Sequence, residues 1–173
     1  MEGRKQYMDS IRSDPFLNCL MMSYDKAFAY AKGRTVLDYG CGYGWGSYLL
    51  SGCAQQVTGY DPDEGRIQFA HAIFQEKNIT YLTDAKCLPD RSFDMVCLFL
   101  VLPCAEEPLK VLGHIGDCLI PGGFLWLSFK SGNDWLEDLV AHWVFRKNAQ
   151  LLYSGHRYLS KAVDLVEQVL RID

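Results

Sequence analysis

The chain has 173 residues, of which 49% are hydrophobic and 22% charged, so disordered, collagen-like and coiled-coil classes are excluded. A net charge of −4 argues against a nucleic-acid-binding surface, which normally shows as a basic stripe. The longest apolar run, residues 95–105, contains Pro103 and is too short for a membrane span, which needs about 20 residues. Because the N-terminus also lacks a signal-peptide pattern, we expect a cytoplasmic protein with no membrane partner.

Seven cysteines are spread along the chain without a C-x-x-C pair, so we expect neither a zinc site nor a redox dithiol. Most of them lie in apolar stretches, where a free cysteine behaves as a small buried hydrophobic residue. Cys41 differs because it lies in a glycine-rich loop, where it can contact a ligand. We therefore predict reduced thiols and no bound metal.

Apolar periodicity predicts helices and strands that alternate along the chain. The first predicted helix covers residues 16–31, with Asp14 as its cap and Pro15 at its first position. The later elements are predicted in this order: strand 35–39, helix 45–50, strand 56–60, a helix capped by Asp63, strands 78–82 and 93–102, a helix from Pro108, strand 124–129, and helices 134–148 and 160–170. This alternation predicts an α/β fold with a doubly wound, mostly parallel sheet and helices on both faces.

A glycine-rich loop, residues 40–44, follows the first predicted strand and precedes a helix. Glycines allow a tight turn and the close approach of backbone to a ligand. Asp61 ends the next strand, where a carboxylate can accept hydrogen bonds from ribose hydroxyls. Together these features indicate a nucleoside ligand at the carboxyl ends of the strands.

Two common nucleotide motifs do not fit this loop. The third glycine of the dinucleotide fingerprint would fall on Trp45 or Ser47, which opposes a nicotinamide-dependent oxidoreductase. No lysine follows the loop as in a phosphate-binding P-loop. Asp38 stands two residues before the first glycine, where its charge would repel a pyrophosphate and suit a ligand with an ammonium and a sulfonium group. S-adenosylmethionine (SAM) is such a ligand.

The sequence resembles the class I SAM-dependent methyltransferases, particularly the small-molecule enzymes related to quinone biosynthesis. The resemblance is carried, in order, by Val36–Gly44, Val57–Asp61, Asp84–Ala85, Leu88–Val96 and Pro121–Gly123. It implies a Rossmann-like fold, SAM as cofactor and in-line methyl transfer to a small-molecule acceptor. The alternative function is that of a non-catalytic subunit of the same fold that binds or scaffolds a partner.

The resemblance also implies which residues bind the cofactor. The methionine end of SAM would be held by Asp38 and by the loop residues Gly40, Cys41, Gly42 and Gly44. Asp61 would bind the ribose, Asp84 and the backbone of Ala85 would bind the adenine amino group, and Tyr60 and Pro62 would enclose the purine ring. The chain is then one domain with a helical extension (1–33), a SAM-binding core (34–129) and a C-terminal helical segment on the acceptor side (130–173).

No catalytic residue follows from the sequence. His71, His114, His142 and His156 are each better explained as surface or structural residues than as a general base. An aromatic set after the fifth strand is at helical spacing, which is more typical of a core than of an acceptor pocket. This set consists of Trp135, Trp143, Tyr153 and Tyr158.

The predicted C-terminal helix leaves no room for the β-hairpin that usually completes this fold, so we expect the hairpin to be missing. The strand over residues 124–129 would then be an uncovered edge, which proteins normally pair or cover. Either residues 149–153 fold back as a substitute strand or a second subunit covers the edge. Abundant hydrophobic residues from 135 to 152 favour a homodimer.

Overall fold

The structure is a computed structural model, and it describes residues 2–130, 132, 134–146, 150–160 and 163–172. Side chains are described for these residues except at positions 145, 153, 155–160 and 163–165. The chain divides into two compact units, Met1–Leu88 and Pro89–Asp173. Across the described residues, no helix combines the length and apolarity that a membrane span requires.

The first unit alternates helices with three parallel strands. Its elements are α1 Glu2–Ser13, α2 Pro15–Ala31, β1 Thr35–Tyr39, α3 Trp45–Ser51, β2 Gln56–Tyr60, α4 Glu64–Phe74 and β3 Ile79–Leu82. The strands lie in the order β3-β2-β1, with Val57 of β2 opposite Val36 of β1 and Ile79 of β3. Because the strands are parallel, their carboxyl ends meet at one edge of the sheet, where ligands of such sheets bind.

Local sequence signals set where the helices of this unit begin. The Asp14 carboxylate accepts hydrogen bonds from the backbone N–H groups of Phe16 and Leu17 at 2.9 and 2.8 Å, and Pro15 occupies the first helical position of α2. Asp63 caps α4 in the same way by accepting from the Arg66 N–H at 3.1 Å. Both predicted caps are confirmed.

The second unit combines parallel and antiparallel pairing. Its elements are β4 Phe93–Phe99, α5 Pro108–Cys118, β5 Leu119–Lys130, α6 Asp134–Arg146, β6 Gln150–Ser160 and β7 Val163–Arg171. The strands lie in the order β4-β5-β7-β6; β5 is parallel to β4, and β7 is antiparallel to both of its neighbours. Each unit combines helices with parallel strand pairing, which confirms the predicted α/β fold class.

The β6–β7 hairpin corrects the expectation that this element is missing. The helix predicted over residues 160–170 is wrong, and the C-terminal segment contains one helix and two strands. In β7, residues 166, 167, 169 and 170 are all buried. A strand covered on both faces lacks the polar–apolar alternation that would have distinguished it from a buried helix.

The hairpin also removes the uncovered edge. β5 is paired on both sides, with β4 and with β7. Residues 150–153 are in strand conformation but pair with β7 rather than with β5, and residue 149 lies outside the described residues. The reason given above for a homodimer therefore no longer holds, and the homodimer stays a prediction.

Candidate functional site: the carboxyl ends of β1, β2 and β3

The glycine loop between β1 and α3 adopts a backbone conformation that favours glycine. Gly40, Gly42 and Gly44 have φ angles of 80°, 56° and 84°. A Cβ at Gly44 would lie 2.6 Å from the Ala70 Cβ, whereas one at Gly42 would meet no atom within 4 Å. Packing therefore fixes one end of the loop, while Gly42 faces open space in which a ligand can lie close to the backbone.

Asp61 joins this loop to the end of β2. Its side chain is 3% exposed, and one carboxylate oxygen accepts the Gly42 N–H at 3.0 Å while the other accepts the Asp63 N–H at 3.0 Å. A carboxylate offers about four acceptor positions, so these two bonds leave acceptor capacity on Asp61. The structure thus brings together two of the predicted site residues, which lie 19 positions apart in the sequence.

Arg66 lies beside this carboxylate and near the Tyr43 ring, and the sequence analysis assigned neither residue to the site. The Arg66 guanidinium is 3.5 Å from the Asp61 carboxylate and 3.6 Å from that of Asp63, and it lies 5.9 Å from the centre of the Tyr43 ring. Arg66 is one turn into α4, where a basic residue is typically solvated. Its backbone N–H donates to the capping Asp63, and its side chain lies next to Asp61.

Asp38, at the end of β1, lies beneath the loop rather than on its surface. Its side chain is 1% exposed, and its two oxygens accept hydrogen bonds from the Tyr24 hydroxyl at 2.9 Å and the Ser47 hydroxyl at 2.7 Å. Burial raises the pKa of Asp38 to about 6, and the two hydroxyl donors counteract part of that rise. Tyr24 and Ser47 are further residues that the sequence analysis did not assign to the site.

Cys41 is also buried, with 4% of its surface exposed. Burial, followed by the nearby charges of Asp38 and Asp61, raises the pKa of its thiol well above the usual range. The side chain is thus a protonated packing group beneath the loop. A ligand contact by Cys41, as predicted from the sequence, would be made through its backbone.

The predicted purine and adenine residues lie at the ends of β2 and β3. Tyr60 is 8% exposed and its ring centre lies 4.6 Å from that of Tyr39. Burial raises the pKa of Tyr60, and the charges of Asp61 and Asp84 raise it further. Asp84 is exposed and accepts the Lys86 N–H at 2.9 Å, so it caps the short 3-10 turn Ala85–Cys87.

Pro62 is exposed directly after Asp61, and Ala85 is half-buried behind Asp84. All ten predicted cofactor residues therefore belong to the first unit and lie at or directly after the carboxyl ends of its three parallel strands. Their ligand contacts stay a prediction.

The residues considered for an acceptor pocket belong to the second unit. Trp143 is buried and Trp135 is 53% exposed, while the side chains of Tyr153, Tyr158 and His156 lie outside the described residues.

His71 is exposed on α4, and its ring nitrogen lies 2.9 Å from the Gln75 amide oxygen. No general base is assigned.

The sequence model of a family described as a methyltransferase domain matches residues 20–171. The chain belongs to this methyltransferase family. The match includes the glycine loop, the strand ends and the C-terminal hairpin, so it covers the residues on which the resemblance rests. The predicted family is confirmed, and with it SAM as the cofactor of the family.

Curated relatives include two bacterial proteins named ubiquinone biosynthesis O-methyltransferase. The protein of Coxiella burnetii (strain Dugway 5J108-111) is 32% identical over 117 residues, and that of Idiomarina loihiensis is 33% identical over 117 residues. The alignments cover 65% and 63% of this chain and 50% and 48% of those relatives. The chain thus spans about half the length of the curated relatives it matches.

Solved structures share the fold at low sequence identity. The N-methyltransferase NodS from Bradyrhizobium japonicum WM9, in complex with S-adenosyl-L-homocysteine (SAH), aligns with a TM-score of 0.77 at 14% identity, covering 94% of this chain and 90% of that one. A SAM-dependent methyltransferase from Mesorhizobium loti aligns with a TM-score of 0.69 at 18% identity, covering 86% and 97%. These similarities confirm the Rossmann-like fold.

Proposed function

We propose that the chain binds SAM at the carboxyl ends of β1, β2 and β3 and transfers its methyl group to a small-molecule acceptor. The observation that carries the proposal is the hydrogen bond from the Gly42 N–H to the Asp61 carboxylate. It places the loop that would hold the methionine end beside the acid that would hold the ribose. Both halves of the cofactor are then bound by one connected structure.

The charges around the loop fit this cofactor. The two carboxylates nearest the loop, Asp38 and Asp61, favour a cation, and SAM carries a sulfonium and an ammonium group. Loop residues 40–44 contain no lysine or arginine that would attract a pyrophosphate. Where the dinucleotide fingerprint has its third glycine for close packing of helix on strand, this chain has Trp45, which packs against Tyr24, or Ser47, which donates to Asp38, so the fingerprint is not matched.

Each residue then has a distinct role. Asp61 uses its remaining acceptor positions for the ribose hydroxyls, and Asp84 with the Ala85 backbone binds the adenine amino group. Tyr60 and Pro62 enclose the purine, and the open side of the loop at Gly42 lies against the methionine end. Asp38 contributes its charge from beneath the loop.

The bound cofactor supplies an electrophilic methyl group on a positively charged sulfur. Held by the loop, Asp61 and Asp84, it would give its methyl carbon to an acceptor atom opposite the sulfur, while the electron pair of the broken carbon–sulfur bond would pass to sulfur and SAH would be released. A proton that the acceptor loses passes to solvent or to a base. The methyl transfer creates no new charge on the protein. Much of the rate enhancement therefore comes from the chain holding the acceptor in the right position.

Two measurements test the proposal in sequence. Calorimetry with SAM, SAH and NADH should show binding of the first two alone. Turnover is then measured as SAH release with a panel of phenols, amines and thiols, with phenols included because the curated relatives are named O-methyltransferases. Binding of NADH in preference to SAM would overturn the cofactor assignment.

The same turnover assay separates an enzyme from a non-catalytic subunit of this fold. Absence of the C-terminal hairpin would favour such a subunit, and the presence of β6 and β7 removes that argument. SAM binding without turnover on any member of the panel, whether the chain is assayed alone or with a co-purifying protein, would favour the subunit.

We further propose that the protein acts in the cytoplasm, without nucleic acid or membrane partners. The seven cysteines are all free, as in a reducing compartment, and the net charge is negative. Sedimentation equilibrium at micromolar concentration tests the predicted homodimer against a 19.7 kDa monomer.

A further inference from the structure

Polar groups from three elements meet beneath the glycine loop. Tyr24 of α2 and Ser47 of α3 are 5% and 0% exposed, and both hydroxyls donate to the buried Asp38 carboxylate of β1. Tyr24 also packs edge-on against Trp45, with ring centres 5.0 Å apart. A helix that precedes the cofactor-binding core in the sequence thus reaches into the site.

Two glycines make room for this network. A Cβ on Gly46 would overlap the Tyr24 ring, and a Cβ on Gly59 would lie 2.9 Å from the Ser47 hydroxyl oxygen. Both glycines have ordinary backbone conformations, so the requirement is for space rather than for a left-handed turn. The fold therefore accommodates the two hydroxyl donors at positions where any larger residue would displace them.

The two hydroxyls stabilise the negative charge of Asp38, whereas the other titratable groups around it do not. The titratable groups that face it are Tyr24 of α2, Cys41 of the loop, Asp61 after β2 and Tyr81 of β3. Each of these groups is neutral or negative and none is cationic, so no positive charge among them balances the carboxylate. Hydrogen bonds to a charged group favour its ionised form, whereas burial opposes it. The pKa of about 6 reflects that competition and keeps Asp38 ionised at neutral pH.

We propose that Tyr24 and Ser47 are positioning residues that hold Asp38 in its ionised form for the cofactor's ammonium group, so that α2 is part of the cofactor site. This inference rests on the function proposed above, in which SAM binds at this loop. Its consequence is that the pH range of cofactor binding depends on a hydroxyl of α2.

Tyr24→Phe tests the proposal because it removes the hydroxyl and keeps the ring that packs against Trp45. Losing one hydrogen bond to a charged group should raise the pKa of Asp38 by about one to two units. The ratio of the variant's SAM dissociation constant to the wild-type value should then be about ten at pH 6.5 and within about twofold of unity at pH 8.5. Using a ratio cancels the titration of the cofactor's own amino group.

5′-Methylthioadenosine is the matched ligand control, because it keeps the adenosine and the sulfur but lacks the ammonium group. For this ligand, the ratio of the variant's dissociation constant to the wild-type value should not change with pH in Tyr24→Phe or in Ser47→Ala. For SAM, Ser47→Ala should show the same pH-dependent ratio as Tyr24→Phe. Tyr81→Phe is the matched protein control. The Tyr81 hydroxyl donates to the Gly44 and Phe74 carbonyls, so its loss should affect the two ligands equally and without a pH dependence.

A ratio for SAM that does not change with pH in both Tyr24→Phe and Ser47→Ala would overturn the inference and leave the proposed function standing. An equal pH dependence for 5′-methylthioadenosine would also overturn it, because the ammonium group would then not be involved. Failure of the wild-type protein to bind SAM would instead contradict the proposed function itself.

Discussion

The two compact units of the chain differ in where they bury polar groups. Among the described side chains, the first unit buries Ser23, Asp38, Ser47 and Asp61, and the last three lie around one loop at the carboxyl ends of adjacent strands. The second unit buries Ser128 and Glu167 in neighbouring positions of β5 and β7 within an otherwise apolar core. The buried polar groups of the first unit thus lie where the proposed cofactor would bind, whereas the second unit is stabilised mainly by apolar packing.

This difference means that substitutions in the two units should have separable effects. Changes in the second unit should lower the free energy of unfolding without a specific effect on cofactor binding. Changes around the glycine loop should alter ligand affinity or its pH dependence. The following substitutions test that division, from the largest expected effect to the smallest.

Leu170→Ala should be the most destabilising change. Leu170 in β7 is fully buried, and removing a buried leucine side chain costs about 2–5 kcal/mol of unfolding free energy. Its cross-strand partner Leu151 in β6 is 50% exposed, so Leu151→Ala should change the free energy of unfolding by less than about 0.5 kcal/mol. Urea unfolding measures both, and equal costs at the two positions would contradict the observed burial of β7.

Asp38→Asn should stabilise the fold at neutral pH while it weakens SAM binding. A carboxyl whose pKa is raised from 3.8 to about 6 by burial binds more protons in the folded state, so its contribution to stability falls as pH rises between these values. Replacing it with a neutral amide should therefore raise the unfolding free energy by up to about 3 kcal/mol above pH 7, and by nothing below pH 4.

Thermal unfolding of the wild type and of Asp38→Asn across this pH range measures the effect. Asp25 is exposed on α2, so Asp25→Asn is a matched control and should leave the stability difference independent of pH. A variant less stable than the wild type at every pH would show that the hydroxyl network gives more stability than burial of the charge costs.

Asp61→Ala should weaken SAM binding by about 1.5–3 kcal/mol, the usual contribution of hydrogen bonds to a charged group. The same change releases the Gly42 N–H, so part of the loss reflects a looser loop. Calorimetry measures the affinity, with Asp25→Ala as the control on an exposed surface. Wild-type affinity in Asp61→Ala would refute the ribose assignment.

Gly46→Ala should cost about 1–3 kcal/mol of unfolding free energy, because its methyl group would overlap the Tyr24 ring in a packed interior. Gly113 in α5 is the control, since a Cβ there meets no atom within 4 Å. Gly113→Ala should stabilise the protein by about 0.4–1 kcal/mol, because alanine lowers the conformational entropy of the unfolded chain. Differential scanning calorimetry separates the two signs, and a stabilised Gly46→Ala would show that the network can shift.

Much of the first unit was predictable because its signals are local. The predicted bounds of β1 and β2 agree with the structure, and Asp14 and Asp63 cap their helices as expected. A cap acts over three residues, and a glycine loop after a strand is continuous in sequence. The second unit was less predictable: β5 begins at Leu119, earlier than expected, and β7 was predicted as a helix.

The sequence by itself determined the family and the fold class, and it predicted the cofactor-binding residues, because all of these depend on residue types at fixed short spacings. The tertiary structure alone decided three features: the strand conformation of β7, the burial of Asp38 against Tyr24, and the approach of Arg66 to Asp61. Each depends on packing between elements that are separate in sequence. β7 is a strand because both of its neighbours complete its backbone hydrogen bonds, and Asp38 has a raised pKa because helices and strands around it exclude water.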